Sequence, residues 1–175
     1  MGRTFSFRGK ILCSDNSVTA NHQIFDYVSP DRTKAWKVKE AYIWIVDWWQ
    51  VALGGAGFLT LVAGLGTDTG KFNQNELIDP SENRLFGWSH QTYNHRNNNV
   101  PFVTPNATPL GRMNMLIDPD HLITKELFLN VGTATDEDES SLREIGYCII
   151  MEERKVTASE SVFQQIKGIG QDIES

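Results

Sequence analysis

Two cysteines in 175 residues are too few for a disulfide framework. Cys13 and Cys148 lie in separate apolar runs, and each reads as a buried free thiol. Long hydrophobic runs are missing too. No stretch approaches the roughly 20 apolar residues that a membrane-spanning helix needs. The opening Met1-Gly2-Arg3-Thr4-Phe5-Ser6-Phe7 lacks the apolar centre of a signal peptide, so none is expected. No Pro/Gly/Ser-rich stretch separates two cores, which excludes a two-domain reading. At 40% apolar and 22% charged residues, the chain is also not a disordered one.

The motifs of common enzyme chemistry are equally scarce. Gly64-Leu65-Gly66-Thr67-Asp68-Thr69-Gly70-Lys71 resembles a phosphate loop but fails it twice. The first required glycine falls on Leu65, and Phe72 stands where a Ser/Thr would hold Mg²⁺. A glycine-rich strand connection fits better. His90 and His95 are five apart, a spacing that suits neither a helical metal pair nor a zinc finger. His121 follows Asp118-Pro119-Asp120, which reads as a turn with hydrogen-bonded caps. No Gly-x-Ser-x-Gly elbow occurs, and neither cysteine sits in a nucleophile motif. The expectation is a protein that is not an enzyme, with no catalytic residue, no metal ligand and no cofactor.

What the chain has is strands. In the run from Ala35 to Trp49, Trp36, Val38, Tyr42, Trp44 and Val46 share one parity, and Ala41, Ile43 and Ile45 the other. A period of two sends successive side chains to opposite sheet faces, and aromatic and β-branched residues suit a pleated surface. Similar runs predict strands at Thr4–Cys13, His22–Val28, Ala35–Trp48, Gly57–Leu65, Arg84–Tyr93, Met113–Ile117, Leu122–Thr133 and Ile145–Glu153. Turn-forming clusters separate them, among them Ser14-Asp15-Asn16-Ser17 and Asp79-Pro80-Ser81-Glu82-Asn83. About eight strands broken by such turns predict an all-β sandwich or barrel over residues 1–155. Residues 94–112 are rich in Asn and Pro and read as a long irregular loop, a place for a partner contact.

After residue 155 the period changes. Val162, Ile166, Ile169 and Ile173 form one helical stripe, and Thr157-Ala158-Ser159-Glu160 is a capping-box signature ahead of it. Residues 156–175 are therefore expected to form a short amphipathic helix. Its stripe packs on its own sandwich or serves as a subunit interface. The net charge of −6 is uneven: residues 1–40 carry seven Lys/Arg against four Asp/Glu. Arg3, Arg8 and Lys10, interleaved with Phe5 and Phe7, are the candidate nucleic-acid contacts. The simpler reading is a first strand with outward charges.

A tryptophan-rich early strand, a long irregular loop and closing strands resemble the small single jelly-roll capsid proteins of viruses. The portion from Asp118 through Leu122–Asn130 to Tyr147–Glu153, with its terminal helix, is similar in style to proteins of environmental DNA viruses. The resemblance covers most of the chain in pattern and has no diagnostic motif. It implies a single jelly-roll β-sandwich and a virion structural protein whose identical subunits tile into a shell, with other virion proteins as further partners. Many such capsid proteins carry a long Arg-rich N-terminal arm, whereas this chain has only Arg3, Arg8 and Lys10 there. Genome contact is accordingly expected to be weak or absent. The alternative is a carbohydrate- or receptor-binding β-sandwich module, with Trp48, Trp49, Trp88 and Tyr93 as stacking platforms.

Overall fold

The computed structural model describes residues 2–27, 33–46, 58–94, 113–135, 141–157 and 159–160. Among them are nine strands: β1 (Thr4–Ser14), β2 (Val18–Asp26), β3 (Lys34–Ile45), β4 (Phe58–Gly66), β5 (Leu85–Asn94), β6 (Met113–Asn114), β7 (Leu116–Ile117), β8 (Glu126–Thr135) and β9 (Leu142–Lys155). One sheet has the order β1-β9-β3-β6 and the other β2-β8-β4-β5-β7. Every ladder is antiparallel. The protein is an all-β sandwich of two sheets.

The core lies between the sheets, where alternation puts it. Ile11, Ala41, Ile43, Ile145, Ile149 and Met151 of the first sheet meet Leu59, Leu61, Leu65, Leu127, Leu129 and Val131 of the second in one buried cluster. Burying each such side chain contributes on the order of 1.5–3 kcal/mol. The expected shared face of Leu127, Leu129 and Val131 is an inward face of β8.

Three local expectations need correction. The β3 run does not keep one parity. The ladder with β9 slips between Val38 and Glu40, so Trp36 and Val38 point inward before the slip and Ala41, Ile43 and Ile45 after it. A bulge inserts one residue and turns the following side chains over. The expected strand at Met113–Ile117 is split. β6 pairs with β3 and β7 with β5, and buried Met115 sits at the seam between the sheets. Finally, the ladder of β8 starts at Glu126, not Leu122; Ile123 instead forms a single bridge to Trp36, with backbone bonds of 2.7 and 2.8 Å.

A second, smaller core lies on the outside of the second sheet. The β4–β5 connection folds back over it and places Phe72 and Leu77 against Val62, Leu85, Val18, Ala20 and Trp88. The connection is held down at Gly70, whose N–H donates to Asn21 Oδ1 at 2.8 Å while Asn21 Nδ2 donates to the Gly70 carbonyl at 3.0 Å. Arg84 lies 4.6 Å over the Phe72 ring, and its guanidinium donates to both Glu82 oxygens, at 2.7 and 2.6 Å. That pairing holds the Glu82 carboxyl below its usual range.

After β9 the capping box forms as its signature predicts. Glu160 Oε2 accepts from the Thr157 N–H at 2.7 Å, and the Glu160 N–H donates to Thr157 Oγ1 at 3.2 Å. The stripe residues Val162, Ile166, Ile169 and Ile173, and the irregular stretch 95–112, lie outside the described residues.

Candidate functional site

One interior bridge, one buried ion pair and one outer face carry the groups that could do chemistry. The bridge starts at Tyr147 on β9. Its ring runs beneath β1, where only a glycine leaves room: a Cβ on Gly9 would come within 2.5 Å of the Tyr147 hydroxyl. The hydroxyl then meets His22 Nε2 on β2 at 3.3 Å, joining the two sheets. Burial lowers the His22 pKa below 6.5 and raises the Tyr147 phenol above its ordinary value. Both groups are thereby held neutral near pH 7, which suits a structural hydrogen bond better than proton transfer.

A pH prediction follows from the His22 shift. Because the folded pKa is the lower one, the unfolded chain binds more protons between the two values. Stability is thus expected to fall as pH drops through about 6.5 and to level off below the folded value. Denaturant midpoints between pH 8 and 5 should show this fall in the wild type and a smaller one in His22→Gln. Equal slopes in both proteins would refute the assignment.

The turn cluster around Asp15 hides an ion pair that sequence reasoning missed. Arg143 Nε donates to Asp15 Oδ1 and Oδ2 at 2.9 and 3.1 Å, and its terminal nitrogen to Oδ2 at 2.7 Å. Both side chains are buried, at 6% and 0% exposure for Arg143 and Asp15. One signal was available. Arg143 shares its parity with Ile145, Tyr147, Ile149 and Met151, and a charge on an apolar face demands a buried partner.

The outer face of the first sheet is the surface of interest. Trp44 lies across Gly146, where a Cβ would come within 2.5 Å of the indole. Beside it are half-buried Tyr42, Cys148 and Ile150. Tyr42 donates to Glu40 at 2.7 Å. Arg8 and Lys10 project from this same face, opposite Cys148 and Gly146. Lys10 is paired with Glu144 at 2.7 Å, and Arg3 lies just before β1. The structure thus brings Arg8 and Lys10 to one face, next to acidic neighbours.

The remaining candidates are placed as follows. Cys13 points into the core while Cys148 points outward, so opposite parities keep these two free thiols apart. Among the described residues, no three His, Cys, Asp or Glu side chains converge as metal ligands. His90 is exposed, and His121 stacks on Phe86 at 4.1 Å. The Asp118 carboxylate accepts from the Asp120 N–H at 2.9 Å, as the turn reading predicts. Trp88 packs against the second core, and Trp48, Trp49 and His95 lie outside the described residues. No helix among the described residues is long and apolar enough to cross a membrane.

The architecture defines the class: a two-sheet antiparallel β-sandwich. No protein-family model matches the chain, and no curated protein matches it.

Proposed function

We propose that this chain is a virion structural protein, a capsid subunit that works by self-association, built as a single jelly roll with a C-terminal helix. The strand order is the observation that supports it. Taking β6 and β7 as one strand that straddles the seam, the chain has eight strands in two sets of four, one-eight-three-six and two-seven-four-five. Strands one to four alternate between the sheets, and the last two return between earlier ones. That interleaving is the order expected of a double Greek key and supports the jelly-roll reading.

Fold alone does not define function, so the surface matters. Exposed apolar side chains stand at separate places: Leu116 at 73%, Leu12 and Leu142 on the first sheet's outer face, and Ile78 over the second. Among the described residues, β1 and β2 are long edge strands, each paired on one side only. A tile needs several such patches, because one subunit must meet different neighbours through heterologous contacts. Identical subunits in a virion are the implied partners, with other virion proteins beside them. Genome contact is weak at most, since Lys10 already faces Glu144.

One feature favours the alternative, a carbohydrate- or receptor-binding module: Trp44 lies flat on the outer face with Tyr42 beside it. The two readings part on assembly. Light scattering and negative-stain microscopy of the purified full chain should reveal rings or shells of many subunits. A chain that remains monomeric at every concentration tested would defeat the capsid reading. Glycan binding by that monomer, lost in Trp44→Ala, would establish the alternative.

A further inference from the structure

The outer faces of the two sheets are treated differently. Residues 67–84 close over the second sheet and bury Val62 and Leu85 beneath Phe72 and Leu77. Among the described residues nothing does the same for the first sheet. Its face is laid out in rows that run from β1 across β9 to β3. Ser6, Ile150 and Glu40 form one row, Arg8, Cys148 and Tyr42 the next, and Lys10, Gly146 and Trp44 the third. The middle of these rows is apolar or bare, and the charges stand at the sides. Two of those charges are left over. Arg8 and Glu40 are both exposed, and among the described residues neither makes an ion pair. They lie two strands apart, about 10 Å, with β9 between them.

We propose that this face is the contact surface for a second copy of the chain, related by a two-fold axis that runs along β9. The inference rests on the self-association proposed above and names the surface it uses. Such an axis keeps each row in place and exchanges its two sides. Arg8 of one copy then comes over Tyr42 of the other, within reach of its Glu40. Lys10, which keeps Glu144 as its partner, lays its apolar stem over Trp44. The same contacts recur with the copies exchanged, as an isologous interface requires. At the centre Ile150 meets Ile150, and Cys148 meets Cys148. Stacked sheets lie about 10 Å apart, a gap that an arginine and a glutamate side chain bridge together. Charge selects this axis. A two-fold axis across the strands would keep β1 over β1 and hold Arg8 away from Glu40. Exposed Leu12 and Leu142 extend the apolar surface at the turn end of the same face.

Cys148 lies near the axis while Cys13 is fully buried in the core. In the full chain, a short bismaleimide should therefore join two copies through Cys148 and give a linked dimer on a denaturing gel. Cys148→Ser should abolish that link. In sedimentation, Arg8→Glu is expected to raise the dissociation constant of the pair at least about tenfold, because it sets like charges against each other twice. Arg8→Glu together with Glu40→Arg should return it to within about threefold of the wild type. Four results would overturn the proposal: no linked dimer, a link that survives Cys148→Ser, an Arg8→Glu chain that associates as the wild type does, or a loss that the exchanged charges fail to recover. Large assemblies in which Cys148 stays unlinked would sink this contact and leave the shell reading standing. Linked dimers that never grow further would uphold the contact and sink the shell.

Discussion

Replacing Asp15 by alanine is expected to destabilise the protein by about 3–5 kcal/mol, the cost of removing one partner of a buried ion pair. The Arg143 guanidinium meets both Asp15 oxygens through a forked contact of 2.7 to 3.1 Å, and the Asp15 side chain has no exposed surface. The Ser141 N–H adds a longer bond to the same carboxylate at 3.3 Å, and the Asp15 N–H donates back to the Ser141 carbonyl at 2.8 Å. Together these bonds staple the turn between β1 and β2 to the start of β9, across the open end of the first sheet. Alanine would take this carboxylate away from a guanidinium that little water reaches. Arg143→Met should cost a similar amount, because it strands the carboxylate instead. The double variant Asp15→Leu/Arg143→Met is expected to recover most of the loss, since a well-packed apolar pair needs no desolvated charge. Urea midpoints of the three variants are the measurement. Single variants within about 1 kcal/mol of wild type would mean that water reaches the pair and screens it.

The strands were legible because each buries one face, and a half-buried strand must alternate. All eight predicted runs overlap strands of the sandwich, and most ends agree within a few residues. What alternation does not encode is interruption. Lys37-Val38-Lys39-Glu40 looks like an ordinary half-exposed stretch, and only the ladder with β9 reveals the residue that is skipped. The change of sheet at Met115 is hidden for a related reason. Two residues on either side of a seam are too few to establish a period, and both pieces are apolar. The early end of β2 was missed because Val18, Thr19 and Ala20 follow a tight turn and bury only part of each side chain.

The functional surfaces were less legible, because they depend on pairing across long stretches of chain. Arg8 and Lys10 announce themselves as outward charges, but the acidic neighbour that meets Lys10 is 134 residues away. Trp44 looks like core in a run of apolar residues. It lies outside because the bulge turns it there and Gly146 leaves a flat place for it. The His22–Tyr147 bridge needs Gly9 on a third strand, and nothing in the local sequence of any of the three announces the other two.

Leu77→Ala is expected to cost about 2–5 kcal/mol, as much as a truncation in the main core, although Leu77 lies in a connection rather than a strand. The residue is fully buried and belongs to the small cluster in which Phe72, Val62 and Leu85 also lie. Around it the chain is polar, so few other apolar groups can move in to fill the space. The hydrogen bonds that tie the connection down, at Gly70 and from Gln74 Nε2 to the Thr133 carbonyl at 3.3 Å, lie in its first half, before Leu77. A cavity there should therefore open the connection before the sandwich. Hydrogen exchange is expected to quicken in residues 70–84 of the variant while β8 and β9 keep most of their protection. Leu129→Ala, in the main core, should lose a similar free energy with exchange rising in both sheets together. If Leu77→Ala shifts the denaturation midpoint by less than about 0.5 kcal/mol, or if exchange rises equally everywhere, the second core is not an independent clamp.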